Sequence, residues 1–195
     1  TFDTVVLDEV DRMLDMGFLP DVSDTLKALA PNRQSFFFSA TMDDNVRHLI
    51  STFSQDPVTV SVKTSDTSEN VHQNVIHYSS ANDKIEKLHD ALIKDEVEKV
   101  IIFDETQRSV ERLNQELANR GFATDAIHGG KTQGQRQRAL DKFKRSEVDI
   151  LVATDVAARG IDVKDITHVI NYSIPQTYQD YTHRVGRAGR AGKTG

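Results

Sequence analysis

Short apolar, β-branched runs alternate along the chain with longer stretches whose apolar positions recur every three or four residues. The short runs predict strands at 4–7, 35–38, 58–62, 74–78, 99–103, 123–127, 149–153 and 168–172. The amphipathic stretches predict helices at 22–30, 43–53, 84–94, 109–120, 133–145 and 176–185. In the 109–120 stretch Val110, Leu113, Leu117 and Ala118 share one face, and Gly121 follows as a natural helix end. Such alternation predicts an α/β fold with a largely parallel sheet flanked by helices. Residues 63–70 read Lys-Thr-Ser-Asp-Thr-Ser-Glu-Asn, polar and without apolar periodicity. They are read as a linker between a first unit, 1–62, and a second, 71–195. The first unit supplies too few strands for a self-sufficient sheet. The chain opens inside a strand, and another strand is expected after Gly195. Both ends are therefore read as cut, and the chain as part of a larger protein.

Composition changes this picture little. A length of 195 residues suits one large domain or two small ones, and no apolar run reaches the length of a membrane span. The absence of cysteine excludes disulfides and thiolate metal sites and fits a reducing, cytoplasmic setting. Charge says more. The net charge of −6 is unevenly spread, because residues 1–70 hold five Lys/Arg against twelve Asp/Glu. From His128 to Arg190 the balance reverses to eleven basic against seven acidic residues. That local excess leaves a nucleic-acid surface open.

The densest candidate chemistry is Tyr-Thr-His-Arg-Val-Gly-Arg-Ala-Gly-Arg at 181–190. Arg184, Arg187 and Arg190 recur every third residue, and no acid interrupts residues 181–195. Planar guanidinium groups match phosphate oxygens, so the cluster suits charge on a transferring phosphoryl group, or else forms a solvated basic helix end. Asp8-Glu9 follows the run Val5-Val6-Leu7, placing two carboxylates at the carboxyl end of a strand, where ligands of open α/β sheets bind. They read as a Mg²⁺ and water site or as a polar turn. Ser39-Ala40-Thr41 places two hydroxyls at the next strand end, with Thr41 also a candidate cap for the following helix. Gly129-Gly130 precedes Gln133 and Arg136, one helical turn apart at a helix start, able to grip one sugar–phosphate backbone or simply forming a capped surface helix. Thr154–Asp162 follows another buried strand with a hydroxyl, an arginine and two carboxylates.

Taken together these segments closely resemble the DEAD-box ATP-dependent RNA helicases, over essentially the whole chain. Asp8-Glu9-Val10-Asp11 with Arg12–Phe18 resembles motif II, and Ser39-Ala40-Thr41 motif III. Ile101–Thr106 is similar to motif IV. Gln133 and Arg136 match the Gln-x-x-Arg signature, Thr154–Asp162 resembles motif V, and His183–Arg190 resembles motif VI. The resemblance implies two RecA-like domains, the first incomplete here, that close on ATP, Mg²⁺ and single-stranded RNA. It implies that Asp8 holds Mg²⁺ through water and that Glu9 positions the attacking water. It implies that Asp162 contacts the ribose and that Arg187 and Arg190 act as arginine fingers. Thr106, Gly129, Gln133, Arg136 and Thr154 would contact the RNA backbone with little sequence preference. Asp11, Ser39, Thr41, Arg159 and His183 would couple the domains.

The sequence departs from the family pattern in three ways. Val10 stands where the namesake Ala is expected, adding bulk near the phosphates and bearing on ATP turnover. Gly130 stands where Asp is common. The phosphate-binding loop is missing: Gly192-Lys193-Thr194 resembles its ending, but position 187 is Arg where that loop needs Gly. The chain alone is therefore expected to lack robust ATPase activity. A non-catalytic RNA- or partner-binding module and a DNA helicase of the same superfamily are the alternative readings.

Overall fold

Two parallel sheets, each with its own apolar core, organise the computed structural model, which describes residues 2–61, 71–158, 161, 163–189 and 195. The chain divides into two units, Thr1–Val62 and Lys63–Gly195. Among the described residues, no helix is long and apolar enough to cross a membrane.

In the first unit β1 (Thr4–Leu7) pairs in parallel with β2 (Gln34–Phe37), and the register runs from Thr4 opposite Gln34 to Leu7 opposite Phe37. The crossover between them holds α1 (Val10–Asp15) and α2 (Leu19–Ala28), and α3 (Asp44–Phe53) follows. Val10, Val22, Leu26, Val46 and Leu49 form the core, with Val5, Leu7 and Phe37 of the sheet packed against it. Strand alternation sends Val6 and Phe36 to the opposite, exposed face.

The second unit holds α4 (Ala81–Leu92), β3 (Val100–Phe103), α5 (Gln107–Asn119), β4 (Thr124–Ile127), α6 (Gln133–Lys144), β5 (Ile150–Ala153), α7 (Asp155–Ala158), β6 (His168–Asn171) and α8 (Tyr178–Val185). Its strands are all parallel, in the order β4-β5-β3-β6. The central strands β3 and β5 are buried throughout, so they read as unbroken apolar runs. Ile101, Phe103, Ile127, Leu151 and Ala153 face one cluster with Phe143 of α6. Val100, Ile102, Ala126, Ile150 and Val152 face another with Leu88 and Leu92 of α4 and Val110, Leu113 and Leu117 of α5.

Three expectations need correction. The predicted strands 58–62 and 74–78 are not strands over their described residues. Val58 is 89% and Val60 80% exposed, and Val75, Ile76 and Tyr78 are exposed as well. Alternating β-branched residues give propensity only; a strand needs a neighbour to pair with, and none of the described strands runs beside these segments. Thr41 does not cap α3. Asp43 does, its carboxylate accepting from the Val46 amide at 2.8 Å, while Thr41 is held elsewhere. Helices α2, α4 and α5 also begin earlier than their apolar periodicity suggests. Pro20 opens α2, Ser80 caps α4, and Thr106 caps α5 in a reciprocal pair with Ser109. Gly121, just past α5, adopts φ +91°, the left-handed conformation that ends helices. The proposed linker 63–70 lies outside the described residues.

Candidate nucleotide and RNA sites at the strand ends

Each sheet gathers its polar chemistry at the carboxyl ends of its strands, the edge at which open α/β sheets bind ligands. In the first unit β1 ends at Leu7 and the chain turns through Asp8 and Glu9 into α1. Glu9 sits at φ 50°, ψ 47°, a left-handed conformation that costs a residue with a Cβ free energy. The Asp8 carboxylate offsets part of that cost by accepting from the Glu9 amide at 2.9 Å. This sharp turn leaves Asp8 exposed and Glu9 half-exposed at the strand end.

The next two residues turn inward. Val10 is 0% exposed, lies in the unit's core, and donates its amide to the Phe38 carbonyl at 3.0 Å. Its bulk is therefore taken up by the core and not at the exposed strand end, which corrects the expectation that it crowds a phosphate. Asp11, 1% exposed, reaches the loop after β2. One of its oxygens accepts from both the amide and the hydroxyl of Thr41, each at 3.0 Å, and the other from the Arg12 amide at 3.0 Å. Ser39 Oγ accepts from the Asp11 amide at 3.4 Å and donates to the Thr41 carbonyl at 2.7 Å. Burial pushes the Asp11 carboxyl up, but the Thr41, Arg12 and Ser39 hydrogen bonds outweigh it and hold the group below the usual carboxylate range. Asp11, Ser39 and Thr41, distant in sequence, thus form one network.

In the second unit β3 leads to Thr106, β4 to Gly129, and β5 to Thr154. These residues, with Gln133 and Arg136 in the first turn of α6, lie along one edge of the β4-β5-β3 sheet. Thr132 caps α6 in a reciprocal pair with Gln135, so Gln133, exposed, and Arg136, half-exposed, flank the helix N-terminus. The Arg136 guanidinium donates to Gln133 Oε1 at 3.5 Å. Thr106 and Gly129 are exposed; Thr154 is buried behind them.

A buried histidine shapes the glycine turn. His128 Nδ1 accepts from the Gly130 amide at 3.1 Å, which assigns the proton to Nε2, 2.8 Å from Glu111 Oε1. Lys131 also reaches Glu111, at 2.8 Å. Burial raises the Glu111 carboxyl, yet hydrogen bonds from Lys131 and His128 bring it below its ordinary value. A Cβ at Gly130 would lie 2.6 Å from Gln107 Oε1, so an Asp there would require the tip of the Gln107 side chain to move aside.

The arginine cluster divides. Arg184 is 3% exposed and forms a two-pronged ion pair with Asp155, at 2.6 and 2.7 Å. It also donates to the Asn171 side chain and the Ser173 carbonyl, and stacks over Phe103 with 5.1 Å from its guanidinium carbon to the ring centroid. It is a buried clamp and not part of a phosphate-facing row. Arg187 lies beyond α8, half-buried, and donates to the Ile161 carbonyl at 2.9 Å. His183 is half-buried in the last turn of α8. Arg159, Asp162 and Arg190 lie outside the described residues. Sequence reasoning missed the Arg184–Asp155 pair, because nothing in a linear pattern joins residues 29 positions apart.

The model of the helicase conserved C-terminal domain matches residues 83–192, more than half the chain, and that of the DEAD/DEAH box helicase matches residues 1–49. The chain belongs to the DEAD-box helicase family. Within the family it is similar to the DEAD-box ATP-dependent RNA helicase CshA of Geobacillus kaustophilus, 44% identical over 195 residues, covering 98% of this chain and 41% of that protein. It is also similar to the structure of a DEAD box protein from Methanococcus jannaschii, with 38% identity and TM-score 0.61, covering 99% of this chain and 52% of that one. Saccharomyces cerevisiae Dbp5 bound to RNA and ADP BeF3 matches with 28% identity and TM-score 0.81, covering 99% of this chain and 51% of that one. The fold is accordingly that of RecA-like parallel sheets. The chain spans about two fifths of the length of the curated relatives it matches.

Proposed function

We propose that this chain is the RNA-gripping and finger-bearing part of an ATP-dependent RNA helicase, working in the cytoplasm and unwinding short duplexes locally. Residues 1–62 belong to the first RecA-like domain and 71–195 to the second, joined by the linker 63–70. The observation that carries the reading is the gathering of Thr106, Gly129, Gln133, Arg136 and Thr154 at one carboxyl edge of one sheet. Hydroxyl, amide, backbone N–H and guanidinium groups there suit a sugar–phosphate backbone and read no bases.

The first unit's strand end suits the nucleotide. Bound with ATP, Mg²⁺ would neutralise the phosphates. Among the described residues no three His, Asp or Glu side chains cluster to hold a metal. A lone exposed Asp8 fits a cation that keeps its waters and leans on the phosphates. Glu9, held in its left-handed turn, positions the attacking water. The Asp11–Ser39–Thr41 network links that turn to the loop after β2, and His183 and Arg159 serve the same coupling from the second unit. Arg187 and Arg190 stabilise charge on the transferring phosphoryl group, and Asp162 contacts the ribose. Closure of the two domains on ATP and single-stranded RNA bends one strand away from its partner.

No G-x-x-x-x-G-K-T loop occurs in the chain, so we assign it RNA binding alone, with ATP turnover reserved for the longer protein. The test titrates the chain with oligouridine and with the matching DNA strand over a range of salt. RNA binding that weakens as salt rises, with little base preference, is expected. Equal or tighter DNA binding would favour the DNA-helicase alternative, and no binding to either would overturn the reading.

A further inference from the structure

The glycine turn after β4 carries on it a side chain from a different loop. Gln107 is the first residue of α5, next to Thr106, and is exposed. Its amide lies against the turn. A Cβ on Gly129 would stand 3.1 Å from Gln107 Nε2, and one on Gly130 2.6 Å from Gln107 Oε1. Only residues without a side chain admit so close an approach. The turn beneath is fastened from the other side. The Lys131 amide donates to the His128 carbonyl at 3.1 Å, and the Gly130 amide donates to His128 Nδ1 at 3.1 Å. The Gly130 amide is thereby used. Among the described residues, the Gly129 amide and the Gln107 side-chain amide have no hydrogen-bond partner. Unpaired donors and an unpaired acceptor thus sit side by side, between Thr106 on one loop and Gly129 on the other.

We infer that Gln107, admitted by Gly130, is a further RNA-contacting residue and that it reads a ribose 2′-hydroxyl. A 2′-hydroxyl both donates and accepts, and it is what distinguishes RNA from DNA at a given site. A side-chain amide offers both roles over a short span, whichever way it faces; a guanidinium offers only donors and a carboxylate only acceptors. The Gly129 amide beside it suits a phosphate oxygen, which sets Gln107 at the level of the adjoining sugar and not of the bases. Against DNA the amide meets no hydroxyl and gains nothing. The departure from the family pattern at position 130 then has a use. An Asp there would push Gln107 off the turn and set a negative charge beside the phosphates; Gly130 does neither. Positions 107 and 130 therefore act as a pair in this chain.

This inference rests on the RNA reading above, and its test separates the two. Fluorescence anisotropy follows the chain binding labelled oligouridine and labelled oligodeoxyuridine of the same length, over a range of salt. The unaltered chain should prefer the RNA by about fivefold or more, the worth of a hydrogen bond. Gln107→Ala should weaken RNA binding about fivefold and leave DNA binding as it was. The slope of log affinity against log salt should stay the same, because no charge is lost. Gly130→Ala should have the same effect, because its methyl group takes the place of Gln107 Oε1. Added to Gln107→Ala it should change nothing more. An RNA preference that survives Gln107→Ala in full would overturn the inference and leave RNA binding standing. So would an equal loss on both strands, equal binding of both by the unaltered chain, or a Gly130→Ala effect that persists in full without Gln107. A chain that binds neither strand would overturn the RNA reading and this inference with it.

Discussion

Val10→Ala restores the residue that gives the family its name, and the structure makes it a destabilising change. Val10 is fully buried among Val22, Leu26, Val46 and Leu49. The substitution deletes two methyl-sized groups, about 1.6 kcal/mol of transfer free energy at about 0.8 each. The remaining cavity adds to that, giving about 2 kcal/mol or somewhat more. The chain has no tryptophan, and its four tyrosines, Tyr78, Tyr172, Tyr178 and Tyr181, all lie in the second unit. Emission is therefore silent about the first, and amide hydrogen exchange is the fitting assay. The Val10 amide, bonded to Phe38, and the Phe38 amide, bonded to Leu7, report opening of the first unit. About 2 kcal/mol corresponds to roughly 30-fold faster exchange at these sites. Amides of β3 and β5, in the other core, should be unaffected. Unchanged or slower exchange at Val10 and Phe38 would refute the packing. If ATP turnover of the longer protein also rose sharply, position 10 would belong to the phosphate site after all.

Arg136→Ala should weaken binding to all RNA sequences alike and lower the slope of log affinity against log salt by about one, as loss of one phosphate contact does; a change confined to some sequences would contradict a backbone role. Arg187→Ala should leave RNA binding by this chain nearly intact and cost the longer protein on the order of 10³-fold in ATP turnover; unimpaired turnover in phosphate-release assays would remove Arg187 from the finger role. The Asp11 carboxyl is held below its ordinary value, so its contribution to stability is complete above the unfolded value of 3.8 and is lost as pH falls through the lower folded value. Exchange at the Thr41 amide should therefore accelerate, beyond the intrinsic pH trend, only below about pH 4, and Asp11→Asn should abolish that step; an acceleration already complete near neutrality would assign it to another group.

The central strands were legible because burial on both faces demands unbroken apolar runs, and β3 and β5 are such runs. The segments at 58–62 and 74–78 misled for the converse reason. Their alternation is that of a half-buried strand, but alternation cannot say whether a neighbour exists, and Val58 and Val75 stay exposed. The starts of α2, α4 and α5 were misread because a proline or a polar cap, and not apolar spacing, sets the boundary at Pro20, Ser80 and Thr106. The candidate site was legible as strand ends followed by polar residues. What stayed hidden was which of those residues face one another. The arginines at 184 and 187 share a spacing and a charge, yet Asp155 draws the first inward, and that acid lies just past the end of β5.

The four residues Asp8 to Asp11 illustrate why a short motif carries several functions at once. After an ordinary extended strand, consecutive side chains would alternate between two faces. The left-handed turn at Glu9 breaks that alternation and starts α1 at once, so the four side chains meet four surroundings: solvent at Asp8, the strand edge at Glu9, the core at Val10, the neighbouring loop at Asp11. Each position then answers to a different constraint. Asp8 and Glu9 answer to the chemistry proposed for them, Asp11 to hydrogen bonds that few other side chains could accept in that geometry, and Val10 only to volume. An alanine or a valine at the third position is therefore a matter of how much space α1, α2 and α3 leave between them. A larger residue in one of those helices, not a change at the phosphates, is what an alanine at position 10 would require in compensation.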